Sequence, residues 1–109
     1  MDWIEIDDLS ILEQIKTKSI LQPQVIFKHS TRCSISSVAK NRLDKANQPR
    51  GIDFYLLDLI KFREVSNATV ELFQVHHESP QILVIKNGEC VFDESHYGIS
   101  LDEIIEQSL

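Results

Sequence analysis

The hydrophobic pattern changes period several times along this chain, and each change marks an element. Val25-Ile26-Phe27 and Ile82-Leu83-Val84-Ile85 are short runs rich in β-branched and aromatic residues, and Phe54-Tyr55-Leu56-Leu57 is a continuous apolar run between Asp53 and Asp58. Runs of this kind predict strands covered on both faces. Trp3-Ile4-Glu5-Ile6 predicts a short edge strand. Between the runs the period lengthens. Leu9, Leu12 and Ile15 mark one face of a helix that Asp7 or Asp8 can cap and that ends around Ser19, before Pro23. Ile35, Val38, Ala39, Leu43 and Ala46 mark a second helix, closed by Pro49 and Gly51. Ala68, Leu72 and Phe73 mark a third, which Ser66 can cap if the start does not lie several residues earlier. Asn87-Gly88 is a hairpin signal leading into Val91-Phe92. Ser100-Leu101-Asp102-Glu103 has capping-box spacing for a last helix, with Leu101, Ile104 and Ile105 inward.

The predicted order is therefore strand, helix, strand, helix, strand, helix, strand, strand, helix, over one domain of residues 1–109. Alternating strands and helices predict parallel pairing, and the hairpin adds an antiparallel edge. The class is α/β with a mixed sheet.

Chemistry concentrates where the first buried strand gives way to the second helix, at His29-Ser30-Thr31-Arg32-Cys33-Ser34-Ile35-Ser36. The helix opens near Ser34, so Cys33 sits close to the positive end of its dipole. Unpaired amides and aligned peptide dipoles there favour a thiolate, the form that attacks sulfur. Arg32 adds a full positive charge next door, while Ser30 and Thr31 can cap the helix start. Cys33 and Ser36 have the spacing of a Cys-x-x-Cys pair with serine at the second sulfur. A dithiol resolves its own mixed disulfide by internal attack. With serine there, the adduct waits for an outside thiol, and the hydroxyl of Ser36 is at most a hydrogen-bond donor to the thiolate.

Composition narrows the partners. A net charge of −6 argues against nucleic acid, whose phosphates need clustered Lys and Arg. No apolar run approaches the ~18 residues of a membrane span, and the opening Met1-Asp2-Trp3 does not read as a targeting signal. The expected location is the cytoplasm, where an exposed cysteine is more often catalytic than disulfide-bonded.

Phe27-Lys28-His29-Ser30-Thr31-Arg32-Cys33, Ile35-Ser36, His77-Glu78-Ser79-Pro80-Gln81 and Lys86-Asn87-Gly88 resemble the monothiol bacilliredoxins, the YtxJ-like branch of the thioredoxin superfamily. The resemblance covers nearly the whole chain. It departs at Ser34, where relatives usually carry a proline that pre-sets the first helical turn. It implies a thioredoxin-like three-layer α/β/α sandwich around a central mixed sheet of four to five strands. It implies that Pro80 is cis and faces Cys33, with the backbone of Ser79 open to a substrate segment or thiol. Arg32 and Ser36 would assist Cys33 in catalysis. Thr31, Ser34, Ser79 and Pro80 would contact the substrate. The implied activity is thiol-disulfide exchange that removes bacillithiol, a low-molecular-weight thiol, from bacillithiolated proteins, with a second small thiol restoring Cys33 and no metal needed.

Other chemistry is weaker. Cys90, beside Val91-Phe92, reads as a buried thiol on the last strand rather than a resolving cysteine, being distant from the Cys33 turn. His29, His76 and His77 fall short of a zinc set with only one nearby sulfur, although His29 can tune Cys33 electrostatically. His96 has no evident partner. Asn67-Ala68-Thr69 matches a glycosylation sequon but falls in a helical pattern. Lys28, Arg32, Lys40 and Arg42 offer a local attraction for an anionic thiol. Two other classes fit a lone reactive cysteine on this fold: an iron-sulfur cluster carrier, as in monothiol glutaredoxins, and a non-enzymatic interaction domain.

Overall fold

The computed structural model describes residues 1–109. Strands β1 (Ile4–Glu5), β2 (Gln24–His29), β3 (Asp53–Asp58), β4 (Gln81–Lys86) and β5 (Glu89–Ser95) form one sheet in the order β1-β3-β2-β4-β5. Helices α1 (Leu9–Lys18) and α3 (Arg63–Phe73) cover one face, while α2 (Ser34–Asp44) and α4 (Leu101–Ser108) cover the other. The first face buries Leu12, Ile15, Val65 and Phe73 against Ile26, Leu57, Leu83 and Ile85. The second buries Ala39, Leu43 and Ile104 against Val25, Phe27, Phe54, Ile82 and Val84. This is the expected three-layer α/β/α sandwich with five strands.

The pairing differs from expectation at one place. β1, β3 and β2 run parallel, but β4 runs antiparallel to β2, as β5 does to β4. Helical alternation alone does not fix strand direction. After α3 the chain turns through Gln74, in the left-handed region at φ 54°, and residues 75–80 carry it to the C-terminal end of β2. β4 therefore starts where β2 ends. In their register Phe27 faces Ile82 and Lys28 faces Gln81, and one further step sets His29 across from Pro80. The cysteine turn and the proline loop thus leave neighbouring central strands at the same end of the sheet.

Local chemistry explains the boundaries. Asp8 caps α1 through the Ser10 amide, and Ser100 caps α4 by accepting from the Glu103 amide at 3.2 Å. Asn87 and Gly88 both have positive φ, 54° and 80°, which a two-residue turn between right-twisted strands requires. α3 begins at Arg63, before Ser66, because the Asp58 carboxylate accepts from the Ile60 and Lys61 amides and the Phe62 amide bonds the Asp58 carbonyl. Ser66 is buried inside the helix rather than capping it. At the β1 edge the Trp3 ring lies 5.7 Å from Phe27 and 6.2 Å from Phe54, and its indole N–H donates to Asp44.

Candidate functional site

Cys33 is itself the N-cap of α2, with φ −114° and ψ 120°, so neither Ser30 nor Thr31 fills that place. The helix opens by a bond from the Ser37 amide to the Cys33 carbonyl at 3.1 Å. The amides of a first turn have no intrahelical acceptor, and an N-cap side chain is placed to receive them. The Cys33 side chain makes no capping bond with a neighbour. Its sulfur is partly exposed, flanked by exposed Arg32 and Ser34, with Thr31 exposed as well. Arg32 forms no ion pair.

Ser36 has partners that its spacing from Cys33 does not show. Its side chain is fully buried, and the hydroxyl stands 2.7 Å from His29 Nδ1 and accepts from the Ser30 amide at 3.0 Å. Burial pushes the titration of His29 down, and Lys40 adds to that. With the ring neutral, Nδ1 and the Ser36 hydroxyl share one hydrogen bond, which engages Ser36 with His29 and the Ser30 amide. These bonds make Ser36 close the loop from Ser30 to the first turn of α2. The same anchoring sets the rotation of α2. Ser36, Ala39 and Leu43 face the sheet, whereas Val38, expected inward, is 47% exposed.

On the proline side Ser79–Pro80 is cis. Pro80 is buried, and its carbonyl accepts from the His96 amide at 3.0 Å, tying the loop to the 3-10 turn His96–Gly98 that packs against α2. The Ser79 hydroxyl is buried without a partner. His96, without a partner on sequence grounds, stands 3.6 Å from the Glu78 carboxylate, which also lies 3.7 Å from His76.

The histidines are not brought together. His29 shares its face of β2 with Phe27, over which it stacks at 5.8 Å, and this face meets α2. His77 meets the opposite face, where its Nδ1 lies 2.7 Å from Lys28 Nζ. The cluster of cations also disperses: Lys28 is buried, Lys40 pairs with Asp44 at 2.9 Å within α2, and Arg42 is exposed in the last turn of α2, which leaves Arg32 as the sequence neighbour of Cys33. Cys90 lies opposite Ile85, four residues along β4 from Gln81, a separation of about 13 Å at ~3.3 Å per residue. Its thiol is pushed up to about 11 by burial and donates to the Phe92 carbonyl at 3.3 Å.

Comparison with known proteins supplies the family. The family model described as "Monothiol bacilliredoxin BrxC" matches residues 4–104. The chain belongs to the monothiol bacilliredoxin family. A candidate oxidoreductase with a thioredoxin fold is 28% identical, with a TM-score of 0.83 over 95% of this chain and 91% of that one. The thioredoxin of Malassezia sympodialis is 16% identical at TM-score 0.80 over 99% and 92% of the two chains. The Fasciola hepatica thioredoxin is 18% identical at 0.73 over 92% and 93%. The last two share the fold. A bacilliredoxin carrying this architecture has a thiol redox role, in a bacillithiol-related thiol system. No helix is long and apolar enough to cross a membrane.

Sequence reasoning missed three features: the His29–Ser36 bond, the His96–Glu78 contact and the tie from Lys28 to His77. Lys28 carried a signal. It directly follows the apolar run Val25-Ile26-Phe27, on a strand in which every residue is buried.

Proposed function

We propose that the protein removes bacillithiol from proteins held as mixed disulfides, acting in the cytoplasm with Cys33 as its single nucleophile. The observation that carries this reading is the place of Cys33 at the N-cap of α2, beside an uncommitted Arg32 and without a capping bond of its own. The Cys33 thiolate attacks the bacillithiol sulfur. One S–S bond forms as the other breaks, and the client cysteine leaves as thiolate. A second low-molecular-weight thiolate then attacks the adduct at the bacillithiol sulfur and returns Cys33 as thiolate. A thiol near ambient acidity suits both steps, because lowering it further costs nucleophilicity.

The other residues support rather than react. Arg32 offers its charge to an anionic thiol, and Thr31 and Ser34 line the approach to the sulfur. The backbone of Ser79, before cis Pro80, offers main-chain pairing to a docking substrate segment or thiol. Ser36 keeps the turn closed and supplies no second thiol, so the adduct persists until an outside thiol arrives.

Intact mass of the reduced protein, after mixing with a bacillithiolated model protein and separately with a glutathionylated one, tests this. The expected result is a bacillithiol-sized gain on Cys33, formed faster than the glutathione adduct. Cys33→Ser abolishes it and Cys90→Ala keeps most of it. No adduct on folded protein, or an inactive but folded Cys90→Ala, overturns the assignment.

A further inference from the structure

Lys28 is only 1% exposed, on the central strand of the sheet. Its Nζ makes one side-chain hydrogen bond, to His77 Nδ1 at 2.7 Å, and no carboxylate lies within ion-pair distance. Burial pushes its titration down to about 8, with Glu78 partly opposing the shift. His77 is pushed down as well, by burial and then by Lys28, which leaves Nδ1 free to accept the lysine proton. A buried cation without a carboxylate partner destabilises a fold, and an apolar side chain of similar length fits such a position at least as well. Its neighbour across β3 is the buried Leu57. Stability alone therefore does not account for a lysine at this position.

What it holds is specific. Across β4 its register partner is Gln81, also 1% exposed, so the two side chains rise from the same face. Gln81 spends both ends of its amide on the same loop. Nε2 donates to the His76 carbonyl at 3.0 Å and to Asp93 at 3.3 Å, and Oε1 accepts from the Glu78 amide at 3.3 Å. His76, His77 and Glu78 are each fastened from below, in the three residues that lead into Ser79 and Pro80.

We propose that Lys28 and Gln81 are positioning residues for the proline loop, holding residues 76–79 where a mixed disulfide must dock against Cys33. This rests on the exchange reaction proposed above. Neither residue touches the sulfur of Cys33, whose turn at the start of α2 is fastened on the other face through His29 and Ser36. The loop and the nucleophile are thus set by separate polar devices on opposite faces of the sheet.

The two devices separate experimentally. Iodoacetamide needs only the Cys33 sulfur, whereas a protein mixed disulfide needs the loop as well. Lys28→Met is expected to slow adduct formation with bacillithiolated or glutathionylated model protein by roughly ten- to a hundredfold, a range typical of misplaced reactants, appearing mainly in KM. Alkylation of Cys33 is expected to stay within about twofold, and thermal stability to hold or rise. Exposed His77 gives a second variant that spares the core: His77→Leu removes the acceptor and is expected to slow exchange selectively too. In Gln81→Met the Glu78 amide is expected to lose hydrogen-exchange protection. Wild-type exchange rates in both Lys28→Met and His77→Leu overturn the proposal and leave the exchange reading standing. Equal slowing of alkylation and exchange also overturns it, because the effect then lies on the thiol. A wild-type protein that alkylates but exchanges with neither substrate overturns both.

Discussion

At the scale of single residues, two short polar side chains decide what the nucleophile turn looks like. Ser36 was legible as the missing second thiol, because that needs only spacing. Its real partners were not, because His29 lies seven residues earlier across a strand-to-helix junction, where no periodicity rule connects positions. Ser36→Ala strips a partner from both the Ser30 amide and His29 Nδ1. Buried groups left this way cost about 1–3 kcal/mol. A lower denaturant midpoint with unchanged slope is the expected result, together with slower adduct formation on a loosened turn. Cys33 was readable from the same stretch because position on a helix end is a local property. Lys28 reads in the sequence only as one of a group of cations near the cysteine helix, since its acceptor, His77, sits on a loop 49 residues away in sequence.

At the scale of elements, local signals held where the local chemistry is self-sufficient. Asn87-Gly88 makes its turn and Ser100 caps α4 as the sequence predicts. Ser100→Ala is expected to cost about 1 kcal/mol of stability, read by thermal or chemical melting, without altering exchange at the far side of α2. Gly88→Ala places a Cβ at φ 80°, and destabilises by about 1 kcal/mol or somewhat more because only glycine adopts that region without strain. Local signals misled where tertiary partners choose the outcome. α2 turns Val38 outward because the Ser36 bonds fix its rotation, and α3 takes the earlier of the two starts the sequence left open because the Asp58 turn launches it. Strand direction is likewise a tertiary property. The apolar run Ile82–Ile85 predicted a strand correctly, but nothing within it says that it runs against β2.

At the scale of the whole molecule, the polar devices leave a signature in the pH dependence of stability. His29 and His77 titrate below their unfolded value of 6.5, chiefly because burial disfavours their charged forms. Their contribution is whole above that value and is lost as the pH falls through it, since the unfolded chain then binds protons that the fold refuses. The thermal midpoint is expected to fall between about pH 7 and pH 5. His29→Asn, which keeps an acceptor for Ser36 but cannot titrate, should flatten part of that fall. A further loss is expected below the carboxylate range, where Asp8 and Asp44, both shifted down, take up protons. Tyr55 and Cys90, pushed up to about 12 and about 11 by burial, set the opposite limit, with stability lost as the pH climbs past their unfolded values.

The remoteness of Cys90 has a consequence for populations rather than molecules. With its thiol pushed up by burial about 13 Å from the end of the sheet that bears Cys33, it is expected, under the proposed exchange, neither to resolve an adduct nor to store one of its own. Each chain is then a binary counter that reads one or zero. Under the proposed exchange, the modified fraction in a sample is expected to rise and saturate with the ratio of mixed disulfide to free small thiol around it, free of the intermediate states that a dithiol would add.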